Sequence, residues 1–220
     1  MSDLNPSIIL RIVNRADRAW HLWTTKGNAV SCNCCNWEGS SFWKSPSRNI
    51  CPRCGSPERY RFLLYALDHL VDSEHLKNQK LLEFAPFPPI RPYFNTLFKT
   101  VTTADIVPGR GDLVVDMCQM IDIADSSFGA LIAFHVLEHV ADDAQMVAEM
   151  VRVCRVGGRI VTFCPNRWYP AETHGCYWRG RFSFGNKPLI NYLPDPLRDR
   201  LAPHVRAYTG RGLRRLFGDQ

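Results

Sequence analysis

From residue 78 onward, short apolar runs alternate with stretches that carry apolar residues at helical spacing. The apolar runs are predicted to be strands, at residues 80–85, 99–106, 111–117, 128–134 and 159–165. Two intervening stretches are predicted to be helices, residues 89–98 and 142–158, the second closed by Gly157 and Gly158. Alternating strands and helices predict an α/β domain with a doubly wound, Rossmann-like parallel sheet.

Polar residues stand where these predicted strands end. Glu83 ends the first strand, Asp105 ends the second, Asp116 lies near the end of the third, and His135 follows the fourth. Ligands of such sheets bind beyond the carboxyl ends of the strands. An acid at the end of the second strand is well placed to accept hydrogen bonds from two hydroxyls of a ribose.

Four cysteines before this domain have the spacing of a zinc ribbon. Cys32 and Cys35 form one C-x2-C pair, and Cys51 and Cys54 form another after 15 intervening residues. Two such pairs supply four thiolates to one tetrahedral Zn2+, and because all four positions are filled the ion is predicted to be structural. The alternative is a chance cluster of buried thiols.

Residues next to the four cysteines refine this prediction. Asn36 and Gly55 follow the two pairs, and both residue types tolerate the left-handed backbone common at that point. Cys34 is ambiguous because it could replace a neighbour as a ligand, although the x2 spacing favours Cys32.

The pattern predicts two domains. Residues 1–77 form an N-terminal segment with the ribbon at about 30–57 and a linking helix that starts near Glu58, and residues 78–220 form the α/β domain. Residues 1–30 pack on the ribbon as a short helix or strand, and the sequence does not decide which.

Composition narrows the class of protein. The chain has 220 residues, of which 45% are hydrophobic and 22% charged, as in globular proteins. No apolar run approaches the roughly 20 residues that span a bilayer, so no membrane insertion is predicted. Nine cysteines, with no secretory signal at the N-terminus, predict a reducing, cytoplasmic location.

The net charge of +6 is unevenly distributed. Residues 1–70 and 177–220 are basic, whereas residues 71–176 carry 13 acidic and 9 basic side chains. A basic surface suits an anionic partner, so nucleic acid is a possible partner.

The phrase ALIAFHVLEHVADDAQMVAEMVRVCRVGGRIVTFCPN, together with the acids at the strand ends, resembles class I S-adenosylmethionine-dependent methyltransferases. Its HVLEHV…D…E…RV…GG signature is similar to the ubiquinone/menaquinone-biosynthesis-type branch, over about residues 78–217. The resemblance implies S-adenosylmethionine as cofactor. It also implies cofactor-binding roles for a set of residues: Asp105 at the ribose, Asp116 and Met117 at the adenine, Glu83, Ala85 and Phe87 beside the methionine part, and Phe134 and His135 near the methyl group.

Some of these residues have simpler interpretations. Asp116 could cap a turn, and His135 could be a hydrogen-bonded histidine beside the sheet. The first turn also departs from the E-x-G-x-G of the family, because Ala85 and Phe87 stand where glycines are usual and prolines stiffen the turn. A chain that kept the fold and lost the cofactor would have the same departure.

One further pattern points to a different chemistry. His135, Glu138 and His139 match H-x-x-E-H, a zinc-peptidase motif. That motif needs a helix with both histidines on one face, whereas here it straddles a predicted strand end and a loop. No second zinc site is therefore predicted.

The basic segment 166–209 is predicted to cover the acceptor, as the loop after the fifth strand does in methyltransferases. Its candidates for the acceptor site are His174, Tyr177, Arg179, Arg181, His204, Arg206 and Tyr208. A hydroxyl acceptor needs a general base, for which His135, His174 and His204 are the catalytic candidates. The alternative is a solvated basic surface.

A helix capped by Thr209 is predicted to follow this segment. Family members usually continue into a sixth and an antiparallel seventh strand, whereas this sequence stops at Gln220. The C-terminal strands are thus expected to be missing, or to lie in a longer chain. If nothing follows, the open sheet edge could hold a partner in a homodimer.

Methyl transfer to a small or glycan-like acceptor is the leading functional hypothesis, because the tail is rich in Trp, Tyr and Arg. One alternative is an rRNA or tRNA methyltransferase, since zinc ribbons precede some ribosomal-RNA guanine methyltransferases. The other is a non-catalytic zinc-ribbon binding module with a methyltransferase-like fold.

Overall fold

The computed structural model describes residues 6–45, 48–70 and 73–218. The chain divides into two compact units, Met1–Glu74 with Phe87–Leu97, and His75–Pro86 with Phe98–Gln220. The first unit contains α1 (Pro6–Thr24), β1 (Val30–Cys32), β2 (Trp37–Gly39), β3 (Trp43–Ser45), β4 (Arg48–Ile50) and α2 (Glu58–Leu70). The helix α3 (Ser73–Lys77) leads into β5 (Lys80–Phe84). The chain then contributes a 3-10 turn (Pro88–Ile90) and α4 (Arg91–Leu97) to the first unit.

Two antiparallel hairpins form the ribbon of the first unit. The strand β1 pairs with β2, and β3 pairs with β4. The helix α1 is fixed to this ribbon by polar contacts, since Trp43 Nε1 donates to Asp17 Oδ2 at 2.8 Å and His21 Nε2 lies 3.0 Å from the Ser41 carbonyl oxygen. Residues Pro6–Thr24 are helical, so of the two structures predicted for residues 1–30 the helix is confirmed over this stretch.

The second unit is built on a five-stranded sheet in the order β7-β6-β5-β8-β9, with every neighbouring pair parallel. Its remaining strands are β6 (Thr100–Asp105), β7 (Leu113–Val114), β8 (Phe128–Phe134) and β9 (Cys154–Phe163), with a 3-10 turn (Leu137–His139) and α5 (Asp143–Val153) between β8 and β9. The predicted α/β class with a parallel sheet is confirmed.

The hydrophobic core of this unit lies on the sheet. The strand β8 is buried from its second residue to its last, as its unbroken apolar run predicts. The helix α5 turns Met146, Val147, Met150 and Val153 inward, at helical spacing. This packing fixes the carboxyl edge of the sheet, where the cavity described below lies.

Two predicted boundaries are wrong. The helix predicted over residues 142–158 ends at Val153, and β9 begins at Cys154, so Gly157 and Gly158 lie within the strand and do not close the helix. The strand predicted over 111–117 is reduced to Leu113–Val114.

After β9 the chain forms small paired strands and short helices: β10 (Ala171–Glu172), β11 (Cys176–Trp178), β12 (Arg181–Ser183), β13 (Lys187–Pro188), a 3-10 turn (Ile190–Tyr192), α6 (Asp195–Leu201) and α7 (Gly210–Phe217). The strand β10 pairs with β13, and β11 pairs with β12. The predicted Thr209 cap is confirmed, because its side chain accepts a hydrogen bond from Gly212 N at 2.9 Å. In the part of the chain that is described, no helix is both long and apolar enough to cross a membrane.

Candidate functional site

A cavity of about 590 Å³ opens at the carboxyl edge of the sheet. The register explains its position, because Phe84 pairs with both Ala104 of β6 and Ala133 of β8, so the three strands end side by side. Its lining consists of Phe84, Ala85, Ala104, Asp105, Ile106, Val115, Asp116, Met117, Cys118, Gln119, Val136, His139, Val140, Ala141, Asp142 and Gln145. This is the edge at which open α/β sheets bind their ligands.

Asp105 ends β6 at one wall of the cavity. Its Oδ1 accepts a hydrogen bond from Val107 N at 2.8 Å, which holds the start of the following loop. The same loop is tied back to β6 because Asp112 Oδ2 accepts from Thr103 N at 2.9 Å and from Thr103 Oγ1 at 2.8 Å. Asp105 is therefore a half-buried carboxylate on a braced turn.

Asp116 and Met117 lie on the same side of the cavity. Asp116 Oδ1 accepts from Cys118 N at 2.9 Å, and its carbonyl oxygen accepts from Gln119 N at 2.9 Å. Asp116 thus stabilises a turn, which was its simpler interpretation, and also lines the cavity. Met117 is buried and adds an apolar surface to this wall.

Other lining residues come from the loop after β8 and the first turn of α5, and sequence reasoning assigned no cofactor role to them. Asp142 caps α5 by accepting from Gln145 N at 2.9 Å, and Cys118 Sγ donates to the Asp142 carbonyl oxygen at 3.3 Å across the cavity rim. Burial raises the pKa of the Cys118 thiol. One feature of the sequence indicates these residues: their loop follows the fourth predicted strand, and that strand ends at the same edge of the sheet as the second strand, which Asp105 ends.

Four residues expected at the cofactor do not belong to the lining. Glu83 is buried within the sheet, and Phe134 packs on Phe163 with ring centroids 5.0 Å apart. Phe87 belongs to the first unit, where its ring stacks on Tyr60 at 4.1 Å. His135 lies in a separate group of histidines, described below.

The turn after β5 has a strained backbone at the position where the family usually has glycine. Ala85 has φ of 48°, so a residue with a Cβ occupies a left-handed position that favours glycine. Its backbone N donates to the Ala104 carbonyl oxygen at 2.9 Å, which fixes the turn against β6. Ala85 lines the cavity in this conformation.

Histidines converge beside the cavity. His135 has φ of 57°, and its Nδ1 lies 2.9 Å from Oε1 of the buried Glu138. The ring of His174 lies 6.4 Å from that of His135 and 5.4 Å from that of His139, measured between centroids. His204 Nε2 lies 3.3 Å from the His174 carbonyl oxygen. The three predicted catalytic histidines are therefore brought together by the fold.

His174 is held by a buried ion pair. Glu172 Oε1 accepts from His174 N at 2.9 Å and lies 3.2 Å from His174 Nδ1, while Arg198 donates to Glu172 Oε2 at 2.7 Å. Burial alone would raise the pKa of Glu172, but the hydrogen bonds from His174 and the charge of Arg198 outweigh it and lower that pKa. Sequence reasoning missed this pair, because residues 172 and 198 are joined only by the folded chain.

Other residues predicted at the acceptor site have different positions. Arg206 donates to the Val140 and Ala141 carbonyl oxygens, and the Tyr208 hydroxyl donates to Asp143 Oδ2 at 2.9 Å, so both brace the start of α5. Burial and Asp143 raise the pKa of Tyr208. Tyr177, Arg179 and Arg181 are exposed on the β11–β12 hairpin.

A second cluster, in the first unit, contains the four predicted zinc ligands. The sulfur atoms of Cys32, Cys35, Cys51 and Cys54 all lie within 4.8 Å of one another. Asn36 has φ of 54° and Gly55 has φ of 79°, which confirms the left-handed backbone predicted after each pair. The Cys34 sulfur lies 3.9 Å from Asn33 Oδ1 and is not one of this group.

The spacing of these sulfurs fits a tetrahedral ion. Bonds of about 2.3 Å to Zn2+ place sulfurs about 3.8 Å apart, and the Cys32–Cys54 and Cys35–Cys51 pairs lie at 3.8 and 3.7 Å. The buried Ser56 hydroxyl lies 3.4 Å from Cys32 Sγ and 3.1 Å from Cys54 Sγ. Hydrogen bonds from the thiols of Cys34 and Cys51 lower the pKa of Cys32 to about 5, which favours a thiolate.

Residues 92–162 match a family model described as a methyltransferase domain. The matched stretch contains Asp105, Asp116, His135 and Glu138. Together with the parallel sheet, the match fits an α/β methyltransferase domain. A comparison with curated proteins finds no match.

Several solved structures are similar to this chain. An S-adenosylmethionine-dependent methyltransferase from Mesorhizobium loti is 14% identical over 70% of this chain and 77% of its own, with a TM-score of 0.49. A putative methyltransferase from Bacillus halodurans is 16% identical over 70% and 65%, with a TM-score of 0.48. An S-adenosylmethionine-dependent methyltransferase from Archaeoglobus fulgidus is 14% identical over 70% of this chain and 71% of its own, with a TM-score of 0.43. At these values the likenesses carry no argument about residues or activity.

Proposed function

We propose that this protein is an S-adenosylmethionine-dependent methyltransferase whose cofactor binds in the cavity at the carboxyl edge of the sheet. One observation carries the proposal: the cavity is lined by Asp105 and Asp116 at the ends of consecutive strands, inside the stretch that matches a methyltransferase domain. Its volume of about 590 Å³ falls in the usual range for small-molecule sites.

The cavity residues would hold the cofactor by its polar groups. The Asp105 carboxylate would accept hydrogen bonds from the ribose hydroxyls, and Asp116 and Met117 would contact the adenine. Ala85 would place its backbone beside the methionine part, and Glu83 would support that turn from β5. Phe134 and His135 precede the lining residue Val136 and would lie beyond the methyl end of the cavity. When bound, S-adenosylmethionine supplies an electrophilic methyl group on a sulfonium.

The chain's own contribution to the reaction would be to position and deprotonate the acceptor. A nucleophile held in line at about 3 Å from the methyl carbon gains from proximity and orientation. His135, His174 and His204 are the proposed general bases for a hydroxyl acceptor. The hydrogen bond between His135 and Glu138 supports His135 in that role, because a buried carboxylate fixes the ring.

The proposed acceptor is a small or glycan-like molecule. The hairpin of β11 and β12 exposes Tyr177, Trp178 and Phe182, and the rings of Tyr177 and Phe182 lie 5.7 and 5.3 Å from His204. Aromatic faces of this kind stack on sugar rings or bases. If the chain binds no RNA, or if its RNA affinity stays constant between about 50 and about 200 mM salt, this acceptor class is supported. A steep fall of RNA affinity with salt would favour an RNA acceptor.

The four cysteines of the ribbon are proposed to bind one structural Zn2+. Support comes from the tetrahedral fit of their sulfur distances and from the absence of a fifth donor among the grouped residues. Such an ion would supply of order 10 kcal/mol to the folding of a segment too small for its own core.

Calorimetric titration with S-adenosylhomocysteine tests the proposal. We expect binding to the wild-type chain and at least about tenfold weaker binding to Asp105→Asn, because two charge-assisted hydrogen bonds become neutral ones. Asp122→Asn, an exposed acid outside the lining, is the matched control and should bind as the wild type does. No binding by folded, zinc-loaded protein at about millimolar ligand would favour the non-catalytic binding module, for which the glycine-poor turn at Ala85 is the supporting feature.

A further inference from the structure

The residues of the H-x-x-E-H pattern separate in the fold. Leu137–His139 form a single 3-10 turn, so the two histidines do not share the face of an α-helix and the peptidase arrangement is not formed. In its place, His135 and Glu138 meet His174, which lies 36 residues further along the chain from Glu138. One nitrogen or oxygen atom from each of these three residues lies within 4.8 Å of the others.

We propose that His135, Glu138 and His174 form a binding site for one divalent transition-metal ion such as Zn2+. Two imidazoles and one carboxylate are a donor set typical of catalytic zinc and non-haem iron sites. Three protein ligands leave a coordination position for a water or for an oxygen of a bound molecule. This site is distinct from the four-cysteine cluster, which belongs to the other unit.

The buried carboxylate of Glu138 is the first support. Glu138 is only 1% exposed, yet its Oε2 has no hydrogen-bond partner among the described residues, while Oε1 faces His135 Nδ1. An unpartnered buried carboxylate oxygen is costly, because burial removes its hydration without replacing it. A metal ion would supply the missing partner.

The environment of His174 is the second support. Glu172 engages its Nδ1 and leaves Nε2 as the nitrogen for a metal ion. A carboxylate on the far nitrogen of an imidazole ligand is a common arrangement in metal sites, since it fixes the tautomer and raises the basicity of the ligating nitrogen. Arg198, 3% exposed, holds Glu172 from behind.

Little movement is needed to close the site. Nitrogen and oxygen ligands at about 2.1 Å from a tetrahedral ion lie about 3.4 Å apart. The ligand atoms of the three residues already lie within 4.8 Å of one another, and the two histidine side chains, each 23% exposed, can adjust toward the buried Glu138 carboxylate. The strained φ of 57° at His135 is the kind of backbone conformation that functional sites retain.

The position of this site suggests its use. Val136 and His139, which flank His135 and Glu138 in sequence, line the proposed cofactor cavity. A metal ion there would hold an acceptor through an oxygen donor, a hydroxyl or carboxylate, and lower the pKa of a bound hydroxyl. With the ion bound, His135 and His174 are ligands, and His204 remains as the general base. This role in acceptor binding rests on the proposed methyl transfer, whereas metal binding itself does not.

Metal content of the full chain tests the site. After gel filtration with Zn2+ present, mass spectrometry should find two zinc ions per wild-type chain, and one in His174→Ala or Glu138→Gln. Loss of a hydrogen-bond partner of a ligand typically lowers metal affinity by roughly 10- to 100-fold. Loss of a direct ligand should lower the affinity for the second ion by more than that. His69→Ala, an exposed histidine of the first unit, is the matched control and should retain two.

Cobalt substitution assigns each ion to its site. Co2+ in the four-cysteine cluster gives a thiolate charge-transfer band. His174→Ala should keep this band but bind one Co2+ ion per chain where the wild type binds two. One metal ion per wild-type chain, unchanged in His174→Ala, would overturn the proposal and leave Glu138 as a hydrogen-bond partner of His135. If a variant fails to fold, the wild-type stoichiometry and cobalt spectrum decide alone.

The same samples separate this inference from the proposed function. His174 does not line the cavity, so His174→Ala should bind S-adenosylhomocysteine as the wild type does. Two metal ions without binding of that ligand would retain the metal site and reject the methyltransferase. Ligand binding with a single, cysteine-bound metal ion would do the reverse.

Discussion

At the scale of single residues, two positions on the carboxyl edge of the sheet have left-handed backbone without being glycine. Ala85 has φ of 48° and His135 has φ of 57°. For an L-residue this conformation costs about 1–2 kcal/mol. Both residues border proposed binding sites, and strain of this kind is retained where the surrounding structure fixes it.

Substitution of Ala85 tests the importance of this turn. Ala85→Val should lower the free energy of unfolding by about 2 kcal/mol, because a β-branched side chain at positive φ is strongly disfavoured. Ala85→Gly is the matched control and should stay within about 1 kcal/mol of the wild type, since relief of strain and greater chain entropy oppose each other. Urea denaturation measures both, and equal stabilities for the two variants would contradict this account of the turn.

Some site residues could be predicted because their signal is local. Asp105 and Asp116 follow apolar runs, and the carboxyl ends of parallel strands share one edge, so position in sequence gives position in space. Glu138 and His174 carry no such signal. Their meeting depends on the path of residues 166–209, which lacks a periodic pattern.

At the scale of elements, the ribbon is defined by its cysteines more than by its strands, each of which has three residues. Such short strands bury little apolar surface, so a bound ion would hold the hairpins together.

Cysteine substitutions test which thiols matter. Cys51→Ser should release the ribbon's zinc ion and lower the melting temperature of the first unit, because three thiolates and a hydroxyl bind Zn2+ far less tightly. Cys34→Ser is the control and should keep the ion, since the Cys34 sulfur is outside the group of four. Zinc release followed with a chromophoric chelator measures both. Loss of the ion in Cys34→Ser would show that Cys34 is a ligand.

The helix α5 anchors one wall of the cavity through Glu149. Its Oε2 accepts from Met120 N at 2.7 Å, and Arg152 donates to Glu149 and to the carbonyl oxygens of Met120 and Ile123. These contacts hold the segment that follows the cavity residues Asp116–Gln119. The hydrogen bonds from Arg152 lower the pKa of Glu149 below its ordinary value of 4.5.

This anchor predicts a pH dependence of stability. Because the pKa of Glu149 is lower in the folded chain than in the unfolded one, its stabilisation is fully present above pH 4.5 and is lost as the pH falls through the folded value. Glu149→Gln should lower the free energy of unfolding by about 2 kcal/mol at pH 7 and flatten its decline below pH 4.5. Glu38→Gln, at an exposed position, is the control. Parallel pH curves for Glu149→Gln and the wild type would contradict the assignment.

Element boundaries show where sequence patterns fail. The strand β8 begins and ends with its apolar run. A strand buried on both faces is apolar throughout, so the change to polar residues marks where it ends. Gly157 and Gly158 are typical helix terminators, so the sequence predicts that α5 ends there. The helix instead ends where Cys154 takes up extended backbone. The strand β7 is short because side-chain hydrogen bonds flank it, from Thr103 of β6 to Asp112 on one side and from Cys118 N to Asp116 on the other.

At the scale of the whole molecule, charged residues are unevenly distributed between the middle and the C-terminal segment of the sequence. The acidic middle of the sequence supplies Asp105, Asp116 and Glu138, and the basic C-terminal segment supplies the exposed aromatic hairpin. Two of its arginines, Arg198 and Arg206, are committed to internal hydrogen bonds, so the net charge overstates the surface available to an anionic partner. A homodimer through β9, an edge strand of the described sheet, stays a prediction.

A crystal structure of the full chain with S-adenosylhomocysteine tests the central claim most directly. The account predicts adenosine between the turn at Ala85 and the wall at Asp116, with the ribose hydroxyls within hydrogen-bond distance of Asp105. Clear density for the ligand elsewhere, or an empty cavity at saturating ligand, would contradict it.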